Sequence, residues 1–418
     1  MDYFDIDLEL TEKDLALKEA AHRFAKEVMR PVAKELDAMS AEDYIADSSP
    51  FNDFMKQAYQ LGYHTLILPD WVGGMGLSPK QTCIVLEELG WGSFGLGVEL
   101  IVASFGALGA IYTNNDELIE EFTKPFVECK DGSIRACWGG TEPDHGTDII
   151  PTPESWYASP NMKPNVRSRR DGDDYILNGQ KSSWVSGGTV ASHTWLHFGI
   201  DPSRGFDGSG CAIVPLDLPG ITKGKPLEKL GQRDLNQGEI FFDDVRIPSR
   251  YMVAEPDFYT PIMEMFLTNA NLWMSMWATG LARAAFDEAF AYSQDRVVGL
   301  KPMKDHFYTK IRMFELFRRV EVCRAITRRA SELNFTVTPG FLEYSCVAKT
   351  TTTEYCLQNA SDAVQLFGGN GIAKEYLPEK LFRDARMTLI EDGNNEMLAA
   401  DGGHKLYEFY PRQRSDVL

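Results

Sequence analysis

The sequence has 418 residues, 44% of them hydrophobic, which is enough to bury a large core divided among two or three domains. Acidic residues outnumber basic ones by 61 to 42, and the net charge of −19 argues against a nucleic-acid-binding surface, which needs clustered Lys and Arg. The first ten residues show no basic and apolar leader pattern, and no apolar run reaches the ~18 residues of a membrane span. We therefore expect a cytoplasmic protein without a membrane span.

Residues 1–133 are predicted to form an N-terminal helical domain. Thr11 is a suitable N-cap, with Asp14 three residues later, and apolar residues then recur at helical spacing. A second start signal follows a glycine-rich loop, where Ser78 is a suitable N-cap and Gln81 can complete a capping box. These signals predict two helix starts within an all-α segment.

Residues 134–249 change to short β-rich runs separated by turn residues, which predicts a middle β domain with a hairpin turn at Asp171–Gly172. The stretch 151–164 has four prolines and no clear period, so it is predicted to be an exposed excursion. Residues 250–418 return to long helical segments, broken at "VTPG" and "FGGNG", which predicts a C-terminal helical domain.

Four separated segments carry a resemblance to a known family. They are "TEPDHGTDI" (141–149), similar to a TEPxxGSD loop; "KSSWVSGG" (181–188), similar to a KxWITNG strand; "KLGQRDLNQGEIFFDDVRIP" (229–248), similar to KLGxR…FxDVxVP; and "DAVQLFGGNGIAKEYLPEKLFRDARM" (362–387), similar to DAxQxFGGxG…E…xRDAR. In this order they resemble the acyl-CoA dehydrogenase flavoprotein family. The resemblance implies an α+β fold with an N-terminal all-α domain, a middle β-barrel domain and a C-terminal four-helix bundle.

The resemblance also implies an FAD enzyme that oxidises the Cα–Cβ bond of an acyl-CoA thioester and passes electrons to an electron-transferring flavoprotein. By the same resemblance, Thr141 and Thr147 donate to the flavin ring and the diphosphate, Trp184 lies against the flavin, and Ser186 donates to its edge. A lone Trp in a strand is usually a core residue, and only the motif around Trp184 favours a cofactor contact.

A second set of residues resembles the part of the family that meets the adenosine half of FAD on a neighbouring subunit. It comprises Gln365, Gly368 and Gly369, where glycines let the backbone come close, and Arg296, which resembles an arginine that reaches the FAD diphosphate. Shared FAD implies an obligate dimer and a homotetramer built as a dimer of dimers. No alternating βαβ pattern frames "FGGNG", so no Rossmann fold is inferred. Scattered Cys and His residues predict no metal site.

The stretch "IEDGNNEM", 390–397, carries the candidate catalytic acids. Alignment of RDAR and of the glycine in the family's YEGT, without a gap, puts Asp392 at the catalytic glutamate and Glu391 over the tyrosine. The same alignment puts Asn394 over the threonine, where we expect a cofactor contact. A carboxylate in a water-poor pocket has a raised pKa and can take the proton α to a thioester. Because aspartate is one methylene shorter, Glu391 stays open as the alternative base.

Few residues in the sequence indicate the substrate pocket. On the first helix after the β domain, Ala270 and Asn271 stand where some relatives carry the base, so no base is predicted there. Trp273 and Trp277 share one helix face and either pack in the core or wall a pocket suited to short or ring-bearing acyl groups. Glu99, an isolated acid in an apolar stretch, is either a paired or surface-reaching residue or a second acid facing the acyl pocket. In that pocket it would serve a 1,4-type oxidation of a cyclohexenoyl thioester or recognise a polar group of the substrate.

The leading hypothesis from the sequence is an FAD-dependent acyl-CoA dehydrogenase with a short, cyclic or aromatic acyl-CoA as its substrate. Two alternatives stay open. The aspartate at 392 favours a flavin oxidase that acts on a small non-CoA substrate such as a nitroalkane. The altered "EDGNN" loop favours a catalytically silent FAD-binding subunit of a heteromer.

Overall fold

Helices form the N-terminal part of the chain. The computed structural model describes residues 10–413, and the first nine residues, where the leader pattern is missing, lie outside the described residues. Before the sheet the helices are α1 (Glu12–Phe24), α2 (Arg30–Ala38), α3 (Ala41–Tyr44), α4 (Pro50–Gln60), α5 (Pro79–Gly92), α6 (Phe94–Val102), α7 (Phe105–Thr113), α8 (Asp116–Leu118) and α9 (Lys124–Glu128). Single π-helical turns, Ala25–Met29 and Ile119–Thr123, join α1 to α2 and α8 to α9.

Both predicted helix starts are confirmed. The Asp14 N–H donates to Thr11 Oγ1 at 3.2 Å, and the Thr11 N–H donates to Asp14 Oδ2 at 3.0 Å. The same reciprocal pair joins Ser78 and Gln81, at 3.3 and 3.2 Å. These bonds satisfy N–H groups that a helix leaves unpaired, so neighbouring residues alone fix where α1 and α5 begin.

An eight-stranded sheet follows. Its strands are β1 (Ala136–Gly139), β2 (Arg167–Asp171), β3 (Asp174–Lys181), β4 (His193–Gly199), β5 (Ser209–Pro215), β6 (Ile221–Pro226), β7 (Gly238–Pro248) and β8 (Met252–Ala254). The strand order is β6-β7-β3-β2-β4-β5-β8, with β1 beside β4, and β2 and β3 form the predicted hairpin. Within residues 10–413 no pairing joins β6 to β8, so the path is open and strand pairing does not close the implied barrel. One reason is that β8 has only three residues before the next helix begins.

The excursion at 151–164 contains no strand, and seven of its fourteen residues are exposed. Tyr157 anchors it, because the Tyr157 side chain is buried in a small cluster with Ile149 and Phe206. The excursion therefore stays attached to the loop that precedes it, which places it beside the candidate site.

The C-terminal part is helical. It contains α10 (Pro256–Asp295), a short hairpin of β9 (Val297–Val298) and β10 (Lys301–Pro302), then α11 (Phe307–Asn334), α12 (Leu342–Phe367), α13 (Pro378–Met387) and α14 (Asn395–Gln413). α10, α11 and α12 pack against one another, and α14 packs against α12. With helices before and after a sheet-rich middle, the predicted α+β fold class is confirmed.

The N-terminal and C-terminal helices meet along α5 and α10. A Cβ on Gly280 would lie 2.1 Å from the Glu87 carbonyl oxygen, and a Cβ on Gly90 would lie 2.5 Å from the Trp277 carbonyl oxygen. Two glycines therefore let these helix backbones touch, which larger residues would prevent. Among the described residues no single helix is long and apolar enough to cross a membrane. Only α6 and α7 taken together, with a bend of 41° between them, reach that length and hydropathy.

Buried charges join α5 to the C-terminal helices. Arg283 Nη1 lies 2.9 Å from Glu87 Oε1, and Arg324 Nη2 lies 2.7 Å from the same oxygen. Glu88 accepts a short bond from Arg283 and lies 2.9 Å from His22 Nδ1. All of these side chains except His22 are almost fully buried. Removal of Glu87 would leave Arg283 with Glu88 and Arg324 with Glu321, so two buried cations would share one carboxylate fewer.

We expect Glu87→Ala to lower the free energy of unfolding by about 3 kcal/mol, because Arg283 and Arg324 would lose a shared carboxylate inside the protein. Urea denaturation of both proteins measures the change. The control is Glu315→Ala, which removes an ion pair with Arg318 at 2.5 Å whose side chains are 36% and 50% exposed. That pair should contribute less than about 1 kcal/mol. Equal losses in the two variants would contradict the role given to the buried network.

Candidate active site

The base loop, residues 388–394, connects α13 to α14 and carries both candidate acids. Asp392 has φ +51° and Gly393 has φ +92°, so two successive residues lie in the left-handed region. A Cβ on Gly393 would lie 2.7 Å from Ile150 Cδ1, so the base loop packs directly against the end of the 141–150 segment. Non-glycine residues held in this conformation concentrate at functional sites. The backbone therefore marks Asp392 as a residue that its surroundings constrain.

Asp392 is a half-buried acid close to a buried lysine. Burial raises the pKa of its carboxyl to about 6, and the charge of Lys349 opposes that rise. Lys349 is fully buried on α12, where Nζ donates to the Gly393 carbonyl at 2.7 Å and to Asn395 Oδ1 at 2.9 Å. Burial lowers the pKa of Lys349 to about 8, while Asp392 and Glu391 oppose the fall. One ammonium group thus ties α12 to Gly393 and Asn395, the first and third residues after Asp392.

Glu391 turns toward the 229–237 segment. It accepts a short hydrogen bond from Gln232 Nε2, and the Gln232 backbone N–H donates to Asp384 Oδ1 at 2.5 Å. Gln232 is 1% exposed and has φ +48°. Burial, followed by the charge of Asp392, raises the pKa of Glu391 to about 7, and Lys229 opposes the rise. The structure therefore places the two adjacent carboxyls in different surroundings, with a lysine near each.

The 141–149 loop carries the two predicted threonines and contacts both the base loop and the 181–188 segment. The Asn394 N–H donates to Thr147 Oγ1 at 3.2 Å, so the structure brings these two predicted cofactor residues together. The Thr141 carbonyl accepts from the Ser182 N–H at 3.1 Å, which places Thr141 next to the 181–188 segment. Three sequence motifs that are far apart along the chain therefore meet at one place.

A buried ion pair supports this loop. Lys181 Nζ lies 2.7 Å from Glu142 Oε1 and donates to the Gly140 carbonyl at 2.8 Å. Glu142 also accepts from the backbone N–H groups of Asn165 and Val166, the latter at 3.0 Å. Burial lowers the pKa of Lys181 while Glu142 opposes the fall. Because every oxygen of Glu142 has a donor, the start of the loop is fixed to β3.

Trp184 lies outside the strand predicted for it. β3 ends at Lys181, and Trp184 occupies a turn in which its N–H donates to Ser182 Oγ at 3.3 Å. The Trp184 side chain is 49% exposed, which leaves a large flat apolar surface uncovered. Ser186 pairs with Gln237 in an isolated antiparallel bridge, and Gln237 Nε2 donates to Ser186 Oγ at 3.2 Å. Hydrogen bonds to Ser182 and Gln237 thus hold the turn, while the indole of Trp184 stays accessible to a ligand.

Glu99 lies on α6 beside the same turn. It is 2% exposed, so the expectation of a surface-reaching residue is wrong. Its Oε1 lies 3.4 Å from the position of a Cβ on Gly187, and its Oε2 has no hydrogen-bond partner within residues 10–413. Burial raises the pKa of Glu99 to about 7, and Arg135, Lys229 and the Asn236 N–H oppose the rise. Glu99 is therefore a buried acid with one unsatisfied oxygen.

Trp273 and Trp277 are buried between α10 and the α6–α7 region, at 4% and 2% exposure. The ring of Trp273 lies 6.1 Å from that of Phe105, and the ring of Trp277 lies 6.0 Å from that of Phe94. Trp277 Nε1 has no hydrogen-bond partner in the described part of the chain. Both rings thus fill space in the core, and their role as walls of a substrate pocket stays a prediction.

The residues predicted to meet the adenosine half and the diphosphate of FAD lie elsewhere, at the C-terminal end of α12. They are Gln365, Gly368, Gly369 and the nearby Arg296, and all four are exposed. Arg296 is close to this turn because Tyr292, one turn earlier on α10, stacks on Phe367 at 3.9 Å. Within residues 10–413, a Cβ on Gly368 or Gly369 would meet nothing closer than 4 Å. Gln365 follows Lys349 by 16 residues of continuous helix, which separates the two groups by about 24 Å.

Three residues of the site went unnoticed in the sequence, namely Lys229, Gln232 and Lys349. Lys349 stands in the polar run "KTTTTEY", which has no feature that distinguishes a buried lysine from a solvated one. Gln232 occupies the unspecified position of KLGxR, and its partner Glu391 is 159 residues away. The one sequence feature that points to this contact is Glu391 itself, which stands where the family has tyrosine. That feature does not indicate that Gln232 is its hydrogen-bond partner.

Comparisons with known proteins cover nearly the whole chain. The acyl-CoA dehydrogenase N-terminal domain matches residues 11–128, the middle domain 137–245 and the C-terminal domain 260–406. The chain is similar to cyclohex-1-ene-1-carbonyl-CoA dehydrogenase of Geobacter metallireducens, with 28% identity over 399 residues, 95% of this chain and 98% of the relative. It is also 28% identical to the mitochondrial short-chain specific acyl-CoA dehydrogenase of Rattus norvegicus, over 93% of this chain and 89% of the relative.

The fold agrees with a solved structure. Butyryl-CoA dehydrogenase from Megasphaera elsdenii superimposes with a TM-score of 0.84 and 25% identity, over 96% of this chain and 100% of the other. The three domain matches follow one another in the order of the helices, sheet and helices described above. The chain therefore belongs to the acyl-CoA dehydrogenase family, whose members are FAD-dependent oxidoreductases.

Proposed function

We propose that this chain oxidises the Cα–Cβ bond of a short or cyclic acyl-CoA thioester with bound FAD, and that Asp392 takes the α-proton. One observation carries the proposal. The Asp392 carboxyl sits in a constrained loop where burial raises its pKa to about 6. A carboxylate of this kind is ionised at neutral pH and is a stronger base than a solvent-exposed aspartate. The names of the relatives support a CoA thioester as the substrate.

The residues near Asp392 fit an FAD molecule. The half-exposed indole of Trp184 offers a flat contact surface, and the hydroxyls of Thr141, Thr147 and Ser186 border it or the base loop. Asn394 Oδ1 accepts from the Met397 N–H, which leaves the side-chain amide hydrogens of Asn394 available to a ligand. The exposed group formed by Arg296, Gln365, Gly368 and Gly369 would hold the adenosine and diphosphate half, since open space at both glycines permits close approach.

In the mechanism that we propose, FAD supplies the acceptor for the hydride that leaves the β-carbon. Ionised Asp392 accepts the α-proton on a carboxylate oxygen. Lys349 positions Asp392 through its bond to the Gly393 carbonyl and keeps the aspartate ionised near neutral pH. Partial burial of Asp392 limits its contact with water, so the carboxylate is less weakened by solvation than an exposed one. Glu391 is the alternative base.

The acyl group that we propose is short or cyclic. Trp273 and Trp277 fill the space between α6 and α10, which leaves less room for an extended chain and favours flat groups. The relatives named for cyclohex-1-ene-1-carbonyl-CoA, short-chain acyl-CoA and butyryl-CoA agree with this choice. Glu99 is proposed as a second acid, since a pKa of about 7 suits proton exchange in a 1,4-type oxidation.

A groove of about 340 Å³ is proposed to take part of the CoA arm. It opens between the N-terminal half of α10, the 337–343 segment and α14. Its charged side chains are Glu264, Glu343 and Lys405, and Lys405 Nζ lies 2.8 Å from Glu264 Oε1. Because Lys405 is already paired with Glu264, the groove suits the neutral, amide-bearing pantetheine part rather than the phosphates.

We propose a homotetramer, built as a dimer of dimers that share FAD. The predicted cofactor residues form two groups about 24 Å apart along α12, which supports a cofactor held between two chains. One face of α11 exposes Phe307, Ile311 and Phe314, at 78%, 49% and 61%, at the spacing of a helical stripe. Exposed apolar stripes of this kind are typical of protein interfaces. The proposed electron acceptor is an electron-transferring flavoprotein.

The experiment is anaerobic mixing of the purified yellow protein with butyryl-, cyclohexanecarbonyl-, cyclohex-1-ene-1-carbonyl- and palmitoyl-CoA, with the flavin absorption band as the measurement. We expect bleaching by short or cyclic acyl-CoA and slower bleaching by palmitoyl-CoA. In Glu99→Gln, bleaching by butyryl-CoA should persist while bleaching by the cyclohexenoyl thioester falls. Light scattering checks the tetramer.

Two other outcomes would favour other functions. Peroxide formation in air with a nitroalkane, and no bleaching by any acyl-CoA, would identify the oxidase that the aspartate at 392 suggests. A yellow protein that neither class of substrate reduces would identify the silent subunit.

A further inference from the structure

Gln237 joins three parts of the candidate site through one side-chain amide. It directly precedes β7 and is buried. Its Oε1 accepts a hydrogen bond from Lys229 Nζ at 2.7 Å. At the other end of the amide, Nε2 donates to Ser186 Oγ at 3.2 Å and to the Trp184 carbonyl at 3.3 Å. Both hydrogens of the amide nitrogen are therefore used within the turn that carries Trp184.

The partners of Gln237 fix which way its amide points. A lysine ammonium group can only donate, so the amide atom that faces Lys229 must be the oxygen. A backbone carbonyl can only accept, so the atom that faces Trp184 must be the nitrogen. In the reversed orientation two donors would face each other at Lys229 and two acceptors at Trp184. Gln237 thus has one favoured orientation, in which it is a donor toward Ser186.

This orientation of Gln237 decides the direction of the Ser186 hydroxyl. Because Ser186 Oγ accepts from the amide, its own hydrogen points elsewhere. In the described part of the chain this hydroxyl makes no second hydrogen bond, and the Ser186 side chain is only partly buried. The hydroxyl hydrogen is therefore left for a ligand that lies beside the half-exposed indole of Trp184.

We propose that Gln237, oriented by Lys229, points the Ser186 hydroxyl at the flavin ring and so makes reduction of the bound FAD more favourable. The inference rests on the proposed function, in which FAD lies against Trp184. Ser186 would touch the cofactor, and Gln237 and Lys229 are positioning residues. A donor at the edge of the ring stabilises the negative charge that the ring gains on reduction, whereas a lone pair of the same oxygen would oppose that charge.

The position of the turn does not depend on the Gln237 side chain. The Asn236 carbonyl accepts from the Gly187 N–H at 2.8 Å, and Asn236 Oδ1 accepts from the Thr189 N–H at 3.2 Å. These two bonds hold the turn from the residue before Gln237. A variant without the amide should therefore keep Ser186 in place and lose only the group that orients its hydroxyl.

The test measures the flavin and needs no acyl-CoA. Anaerobic titration of the purified holoenzyme against a reference dye gives the equilibrium constant for two-electron reduction of the bound FAD. We expect Gln237→Leu to make reduction about tenfold less favourable, or about 30 mV for a two-electron couple. The reason is that the Ser186 hydroxyl can then turn toward the Trp184 carbonyl, which has lost its donor. Gln180→Leu is the matched control, because it removes a similar bond, to Glu239 at 3.2 Å, and should leave the equilibrium unchanged.

A double-mutant cycle separates the orientation of the hydroxyl from a purely structural effect. In a Ser186→Ala background, Gln237→Leu should change the equilibrium by less than about twofold, because no hydroxyl is left to orient. Gln237→Glu keeps the shape of the side chain and tests the same point if the leucine variant is unstable. Its carboxylate accepts from both Lys229 and Ser186, which turns the hydroxyl away from the ring. The effect of its added charge is measured by the same substitution in the Ser186→Ala background.

Two results would overturn the proposal. One is an unchanged reduction equilibrium in Gln237→Leu and in Gln237→Glu. The other is a change of the same size with and without the Ser186 hydroxyl, which would mean that Gln237 acts only by supporting the turn. If no acyl-CoA bleaches the wild-type flavin, the proposed function fails, while the titration against the dye still decides the role of Gln237.

Discussion

Asp392→Asn is expected to lower the rate of flavin bleaching by acyl-CoA by a factor of about 10³, with FAD still bound. The amide has nearly the shape of the carboxyl but cannot accept the α-proton, and loss of a general base removes about 10²–10⁴ in rate. Lys349 keeps its bonds to the Gly393 carbonyl and to Asn395, and the Asn394 N–H keeps its bond to Thr147, because none of these uses the Asp392 side chain. Stopped-flow absorbance under anaerobic conditions measures the rate, and the visible spectrum of the variant reports the bound FAD.

The pH dependence of the wild type gives a second check on the same residue. A base must be ionised to accept a proton, so the bleaching rate should rise as the pH passes through the pKa of Asp392, about 6. An aspartate at its usual pKa of 3.8 would already be ionised at pH 5 and would give a flat profile above that pH. If Asp392→Asn bleaches as fast as the wild type, or if Glu391→Gln alone stops bleaching, Asp392 is not the base.

The same substitution should stabilise the fold. The folded-state pKa of Asp392 lies above its unfolded value, so the fold favours the neutral form and stability is lost as the pH rises from about 4 to about 6. Asparagine cannot ionise, and Asp392→Asn should therefore melt at a higher temperature than the wild type at pH 7, with the difference shrinking at lower pH. Asp244→Asn is the matched control, because Asp244 also has a left-handed backbone, φ +47°, but is exposed on β7.

Much of this site was predictable because its residues lie in motifs, and the helix starts were predictable because their causes are local. Thr11 and Ser78 each bond to a residue three positions away, so the sequence contains the whole interaction. Alignment without a gap placed Asp392 at the base position. In the structure that residue is half-buried and has a left-handed backbone, although its role as base stays a prediction.

The features that escaped prediction depend on contacts between distant parts of the chain. Lys349 meets the base loop across 44 residues and Gln232 meets Glu391 across 159, and no local pattern records either contact. The β-rich residues around Trp184 predict a strand. In the structure the Trp184 N–H donates to Ser182 Oγ, and Trp184 lies in a turn. The sheet likewise stays open at β8, which ends after three residues, shortly before α10 begins. The pattern of residues does not show where that strand ends.

Lys349→Met is expected to lower the bleaching rate by about a hundredfold at pH 6 and by less at pH 9. Two effects combine. The bond from Nζ to the Gly393 carbonyl is lost, and small misplacements of a reacting group cost about this much in rate. The positive charge that lowers the pKa of Asp392 is also lost, so that pKa rises above about 6 and a smaller fraction of the base is ionised at pH 6. At pH 9 the second effect disappears, because Asp392 is ionised in either protein.

The control for this variant is Lys223→Met, which removes another lysine bonded to a backbone carbonyl, that of Ala191 at 2.6 Å, on β6. It should leave the rate and its pH dependence unchanged. Lys349→Met should fold at least as well as the wild type, because a buried lysine whose pKa falls to about 8 is unfavourable to the fold at neutral pH. A loss of rate in Lys349→Met that is the same at pH 6 and pH 9 would show that the lysine acts only through loop geometry. A rate equal to that of the wild type at both pH values would show that Lys349 neither orients Asp392 nor sets its charge.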